Sequence, residues 1–134
     1  MTEGPPLNQV LHRFAEFVWE MREEPGPILG DRELLRIARA VRERITLGGP
    51  SSGYCAVVCV PLATYLTRRG LPAEDIHGAV GEWQHAWVSL GDGRILDPTA
   101  DQFNRHDGAP RMPPIYLGER PEHYQLDAAG DDAK

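Results

Sequence analysis

Leu7, Val10, Leu11, Phe14, Phe17, Val18 and Met21 recur at helical spacing, which predicts an amphipathic helix over roughly residues 6–23. Pro25-Gly26-Pro27 ends it, because two prolines flanking a glycine cannot continue the helical ladder. Asp31 is a good N-cap for a second helix, whose apolar side carries Leu34, Leu35, Ile37, Ala38, Val41 and Ile45. Its other side holds Arg32, Arg36, Arg39, Arg42, Glu43 and Arg44, which read as a solvated face rather than an anion site. Gly48-Gly49-Pro50-Ser51-Ser52-Gly53 is a loop by composition. A third helix is predicted over about residues 54–69, with Val58, Leu62, Tyr65 and Leu66 in register and Gly70 as its stop. Pro61 sits inside it and should kink it or delay its regular part.

The period then changes. Residues 76–80, 86–90 and 94–97 read as short strands, separated by Gly81 and by Gly91-Asp92-Gly93. Pro98, Pro110, Pro113 and Pro114 break up the C-terminal part of the chain, with further strands at 115–117 and 123–126. Helices first and strands afterwards predict an α+β fold, with N-terminal helices packed on one side of a small antiparallel sheet.

Composition narrows the classes. A chain of 134 residues fits a single domain over 1–134, with 1–6 and 127–134 reading as loose ends. With 41% hydrophobic and 25% charged residues, the mix is that of a soluble globule. No apolar run approaches the ~18–20 residues of a membrane helix, so no membrane association is expected. The N-terminus lacks the basic and apolar regions of a secretory signal. Fourteen basic against twenty acidic residues, net −6, argue against nucleic acid as a partner. The two cysteines, Cys55 and Cys59, cannot form a secreted disulfide framework, which favours a reducing, cytoplasmic setting.

Three residues carry candidate chemistry. Cys55 follows the Gly/Ser loop and opens a helix, where the partial positive charge of the helix end favours the thiolate. In Gln84-His85-Ala86-Trp87-Val88-Ser89-Leu90, alternation sets Ala86, Val88 and Leu90 on the core face and His85, Trp87 and Ser89 on the other. If Gly91-Asp92-Gly93 is a three-residue loop, Leu90 pairs with Arg94, Val88 with Leu96 and Trp87 with Asp97. His85 and Asp97 are then diagonal neighbours on one face. A two-residue turn at Asp92-Gly93 would instead move Asp97 to the opposite face. The longer loop is the one that sets Leu96 beside Val88 on the core side. A carboxylate against an imidazole fixes its tautomer and leaves the other ring nitrogen for a thiol.

At these residues the chain resembles the transglutaminase-like superfamily of papain-like cysteine hydrolases, a small bacterial single-domain member of it. The resemblance rests on Gly53-Tyr54-Cys55 at a helix start, Arg68-Arg69-Gly70, Pro72-Ala73, Gly78, His85-Ala86-Trp87 and Asp97-Pro98-Thr99. Fifteen residues separate Cys55 from Gly70, and eight more lead to Gly78, as the family pattern has it. The match extends over residues 48–103, and Asp97-Pro98-Thr99-Ala100-Asp101-Gln102-Phe103 resembles the stretch after the family's catalytic aspartate. It implies a transglutaminase-like core and a catalytic triad of Cys55, His85 and Asp97. The implied activity is hydrolysis or acyl transfer on an amide of a peptide or glutamine side chain, through a thioester intermediate.

Pro61 departs from the pattern, and a later helix start would favour Cys59 as nucleophile, with Pro61 then in the first helical turn. No glutamine just upstream of Cys55 supplies an oxyanion donor, so the Cys55 amide and a further side chain would serve. Tyr54, Trp83, Gln84 and Trp87 are substrate-binding candidates by adjacency. Cys55, Cys59, His85 and Asp97 carry atoms that suit zinc, but no CxxC or HxxxH spacing frames them, and neither metal nor cofactor is expected. His12, His77, His106 and His123 show no partner spacing. The expected partner is a peptide or protein substrate, which a second protein could deliver. Leader peptidase and glutamine deamidase are both open, and so is a different class, an inactive binding module that holds a peptide or partner protein in the cleft. Among the active options hydrolysis is favoured over transamidation, because an open cleft gives water ready access.

Overall fold

The computed structural model describes residues 9, 12, 13, 15, 16, 30–46 and 55–126, the last stretch with side chains from Val57 onward. The helix expected over 6–23 lies largely outside the described residues, as do both loose ends; the five described residues within it are helical. One of them, Arg13, donates to the Ile45 carbonyl.

Helix α1 spans Asp31–Thr46 and buries Leu34, Ile37, Ala38, Val41 and Ile45, the stripe its spacing requires. Asp31 is its first residue rather than its cap: Gly30 precedes it and accepts the Leu34 amide at 3.1 Å. Asp31 and Glu33 in the first turn suit the positive end of the helix. The arginine side is not uniformly solvated as the charge pattern suggested. Arg42 is only 13% exposed and reaches the Pro98 and Pro114 carbonyls and both oxygens of Asp101, at 2.8–3.1 Å.

Helix α2 spans Cys55–Arg68 and runs through Pro61, so the proline does not delay its start. It ends where a residue without Cβ strain is needed: Gly70 has φ +89°, its amide bonds the Thr67 carbonyl, and the Leu71 amide bonds the Leu66 carbonyl, both at 3.0 Å. Gly70 and Leu71 thereby satisfy carbonyls that the last turn leaves open.

Five antiparallel strands complete the fold: β1 (Ala73–Val80), β2 (Trp83–Leu90), β3 (Ile95–Asp97), β4 (Tyr116–Gly118) and β5 (Tyr124–Leu126), in the order β4-β3-β2-β1-β5. The protein is α+β. Val80 pairs with Trp83 across a two-residue turn at Gly81 and Glu82, and Gly81 takes φ +60° there. Between β2 and β3, Val88 pairs with Leu96 and the Leu90 amide donates to Arg94 at 2.8 Å. This is the three-residue loop, with Gly93 at φ +92°.

The register sorts the sheet into two faces. Ala86, Val88, Leu90 and Leu96 pack with Val58, Leu62 and Leu66 of α2 and with the apolar stripe of α1. The opposite face is not the open surface that alternation alone suggested. Val80, Trp87, Ile95, Phe103 and Tyr124 form a second buried cluster there, with Ala109 and Met112 against it. Residues 98–114, too rich in proline and glycine for a long helix or strand, form this cover. A 3-10 turn at Ala100–Phe103 begins it, and Asn104 closes it through paired bonds to the Met112 backbone at 2.8 and 3.0 Å. Among the described residues no helix is long and apolar enough to cross a membrane.

Candidate functional site

Asp97 is the last residue of β3, and His85 the third of β2. With Val88 opposite Leu96, the pleat sets His85 and Asp97 on one face, one diagonal step apart. His85 Nε2 lies 2.6 Å from Asp97 Oδ2, and neither side chain has any exposed surface. A buried charge of this kind has to be hydrogen-bonded on every side, and Asp97 is. The Thr99 amide donates to Oδ1 at 3.0 Å and the Thr99 hydroxyl reaches the same oxygen at 3.5 Å. The Tyr124 hydroxyl donates to Oδ2 at 2.6 Å, sharing that oxygen with His85.

Toward a carboxylate oxygen that only accepts, His85 Nε2 is the donor of the pair. Phe103, Tyr124 and Trp87 surround the imidazole, with ring centroids 5.0, 5.5 and 6.0 Å away. Burial first, then the Asp97 carboxylate, push the Tyr124 phenol well above its ordinary pKa, with smaller contributions from Tyr116 and Cys59. In its bond to Asp97 the Tyr124 hydroxyl is the donor. Burial, and after it the charge of His85, hold the neighbouring His123 below the usual histidine range.

Chain connectivity fixes which end of α2 approaches this group. The turn after Gly70 leads straight into β1, and the Thr67 hydroxyl donates to the Ala73 carbonyl at 3.1 Å. The helix C-terminus thus sits at the end of the sheet where Ala73 pairs with Leu90. Packed on β1 and β2 through Val58, Leu62 and Leu66, α2 runs back toward the other end, where β2 starts and β3 finishes. Cys55, its first residue, therefore begins the helix near the end of the sheet that carries His85 and Asp97, while α2 itself packs on the face of Ala86 and Val88, opposite to theirs. The side chain of Cys55 is outside the described residues, and so is Tyr54. Cys59, one turn further on, is fully buried among the apolar residues between helix and sheet.

The other adjacency candidates separate. Trp87 is 1% exposed and packs against Tyr124, with centroids 5.2 Å apart, as part of the second core cluster. Its indole lies over Gly78, the partner of His85 on β1, where a Cβ would collide with the ring and with the Gln125 carbonyl. Gln84 is exposed and lies on the face opposite His85, because it shares the pleat of Ala86. Trp83 is half-buried on the His85 face, stacked on Phe103 at 5.6 Å and on His106 at 4.5 Å. Among these residues no group of three or more His, Cys, Asp or Glu side chains is placed to hold a metal ion.

Sequence reasoning missed Tyr124 and gave Thr99 no role of its own. Tyr124 had no local signal, since β5 joins the sheet beside β1 from a distant part of the chain. Thr99 had one, because a residue two after an aspartate can return its amide to the carboxylate as an Asx turn. Comparison of the chain with protein-family models, with curated proteins and with solved structures gives no match.

Proposed function

We propose that the protein is a cysteine hydrolase with a transglutaminase-like core, acting on an amide carbonyl of a peptide or glutamine side chain. The observation that carries this reading is the buried His85–Asp97 pair at the end of the sheet where α2 begins with Cys55. In this reading Cys55 Sγ gives its proton to His85 Nδ1 and attacks the carbonyl. The C–N bond then breaks as His85 protonates the departing amine, leaving a thioester. Water, deprotonated by the same nitrogen, releases the acid and restores the thiol. Asp97 holds the tautomer that makes Nδ1 the base and stabilises the imidazolium. The N-terminal amides of α2 supply donors for the oxyanion.

Hydrolysis is favoured over transfer to an amine. A sheltered aromatic tunnel would need indoles facing the acceptor, and Trp87 is committed to the core, while Trp83 is stacked on Phe103 and His106. A second reading, an inactive module that holds a peptide or partner protein, is favoured by the complete burial of the His85 side chain. Alkylation separates the two. At about pH 6 a triad thiol reacts readily with iodoacetamide, whereas a thiol with its ordinary pKa of ~8.5 hardly does. Rapid labelling of Cys55 that is lost in a His85→Ala variant supports the enzyme; slow labelling unaffected by that change supports the module.

A further inference from the structure

His85 Nε2 and the Tyr124 hydroxyl converge on one oxygen of Asp97, each at 2.6 Å, while the other oxygen is taken by Thr99. A tyrosine that only filled the second core cluster would need some partner for its hydroxyl, and the backbone carbonyls of the sheet edge are nearer to hand in most proteins. Here the hydroxyl is spent on the carboxylate oxygen that also contacts the imidazole. Two donors on one oxygen divide its charge. The more of it the phenol draws, the less is left to stabilise an imidazolium.

We propose that Tyr124 is a positioning residue for the His85–Asp97 pair, its hydroxyl limiting the charge that Asp97 presents to His85 and so setting the basicity of the imidazole. This rests on the reading of His85 as the base. The titratable groups facing the pair come from several elements: His123 and Tyr124 from β5 and the turn before it, and, around the phenol, Tyr116 from β4 and Cys59 from α2. The phenol, held far above its ordinary pKa, stays a donor across the working range and so gives a constant bias rather than a switch. Its position also ties β5 to the site. Tyr124 pairs with Val80 at the end of β1, so the last strand is anchored to the chemistry by one hydroxyl.

The test reads His85 directly, by nuclear magnetic resonance of its Nε2 proton and of its titration. Tyr124→Phe keeps the ring in the aromatic cluster and removes the hydroxyl. The Nε2 proton should then move downfield and the titration midpoint of His85 should rise by up to about one pH unit, as Asp97 concentrates on a single donor. Tyr65→Phe, which removes the hydroxyl that accepts from Arg69 on the helix side and leaves Asp97 untouched, should change neither. Fluorotyrosine incorporated into the unmutated chain makes the phenol a stronger donor and should shift the Nε2 proton the opposite way, a measurement that does not depend on the variant folding. A His85 resonance unmoved by the phenylalanine variant, or by fluorotyrosine, overturns the proposal and leaves Tyr124 a packing residue. Alkylation of Cys55 in the same samples keeps the two readings apart. If its rate ignores the titration of His85, the cysteine mechanism falls while the effect of Tyr124 on the imidazole still stands or fails by resonance.

Discussion

His85 and Asp97 meet at 2.6 Å because one loop between β2 and β3 has three residues rather than two. A two-residue turn would have carried the carboxylate to the helix side of the sheet, beside Ala86 and Val88, and Leu96 away from it. The same register brings Leu96 beside Val88, so hydrophobic packing and the polar pair select one loop together.

Asp97 should therefore matter twice. Asp97→Ala strands three buried donors, on His85, Thr99 and Tyr124, and is expected to cost about 3–5 kcal/mol in urea denaturation. Asp97→Asn keeps the shape but offers the imidazole an amide that does not fix the same tautomer. Alkylation of Cys55 at about pH 6 should fall roughly tenfold in that variant, one pKa unit of thiolate stabilisation. Unchanged alkylation in a folded Asp97→Asn protein would detach the carboxylate from the thiol.

Gly78 tests the other wall of the site. The Trp87 indole occupies the place where its side chain would be, and the Gln125 carbonyl closes the remaining space. Neither can retreat cheaply: Trp87 is wedged against Tyr124, and Gln125 is in the ladder between β1 and β5. Gly78→Ala should cost about 1–3 kcal/mol by overpacking and should loosen β5 first. Equal amide exchange of β5 in variant and parent would show that the crowding is relieved elsewhere.

Much of this arrangement is legible in the sequence where local patterns decide it. The alternation at Ala86, Val88 and Leu90 marks β2, and the glycines around Asp92 set the hairpin, so the meeting of His85 with Asp97 comes from adjacent segments. The stop at Gly70 is equally local. What the sequence hides depends on contacts between distant segments. Tyr124 reaches Asp97 only because β5 adds to the far edge of β1, which no spacing announces. Trp87 reads as a neighbour of His85 on the face away from the core until residues 98–114 are folded over it, and irregular cover of that kind has no period to detect. Arg42 looks like its neighbours in an arginine run; only the approach of Pro98, Asp101 and Pro114 distinguishes it.

That approach makes Arg42 a clamp. One guanidinium holds both ends of the 98–114 cover, through the fork on Asp101 and the two proline carbonyls. Arg42→Ala should cost about 2–3 kcal/mol, the range of charge-assisted hydrogen bonds with their partners left partly buried. Arg42→Lys keeps the charge but loses the planar fork and should recover less than half of the difference. Protease cleavage within 98–114 should quicken in both variants; a cleavage rate matching the parent would mean the cover is held by Phe103 and Met112 alone.

His123 predicts how stability responds to acid. Its pKa lies below the ordinary 6.5, first because burial penalises the charged ring and then because His85 is near. Its Nε2 is buried with no hydrogen-bond partner among the described residues, so protonation there gains no acceptor. The unfolded chain, with an ordinary histidine, binds this proton more readily than the folded one. Where the unfolded state holds more protons, stability rises with pH. The contribution of His123 is thus fully present above the ordinary histidine range, and it is lost as pH falls through about 6.5 toward the lowered folded value. The urea midpoint should drop between about pH 7 and pH 5, and His123→Gln, which carries no titrating group, should flatten that drop. Parallel midpoint-against-pH curves for the two proteins would place the acid sensitivity elsewhere in the molecule.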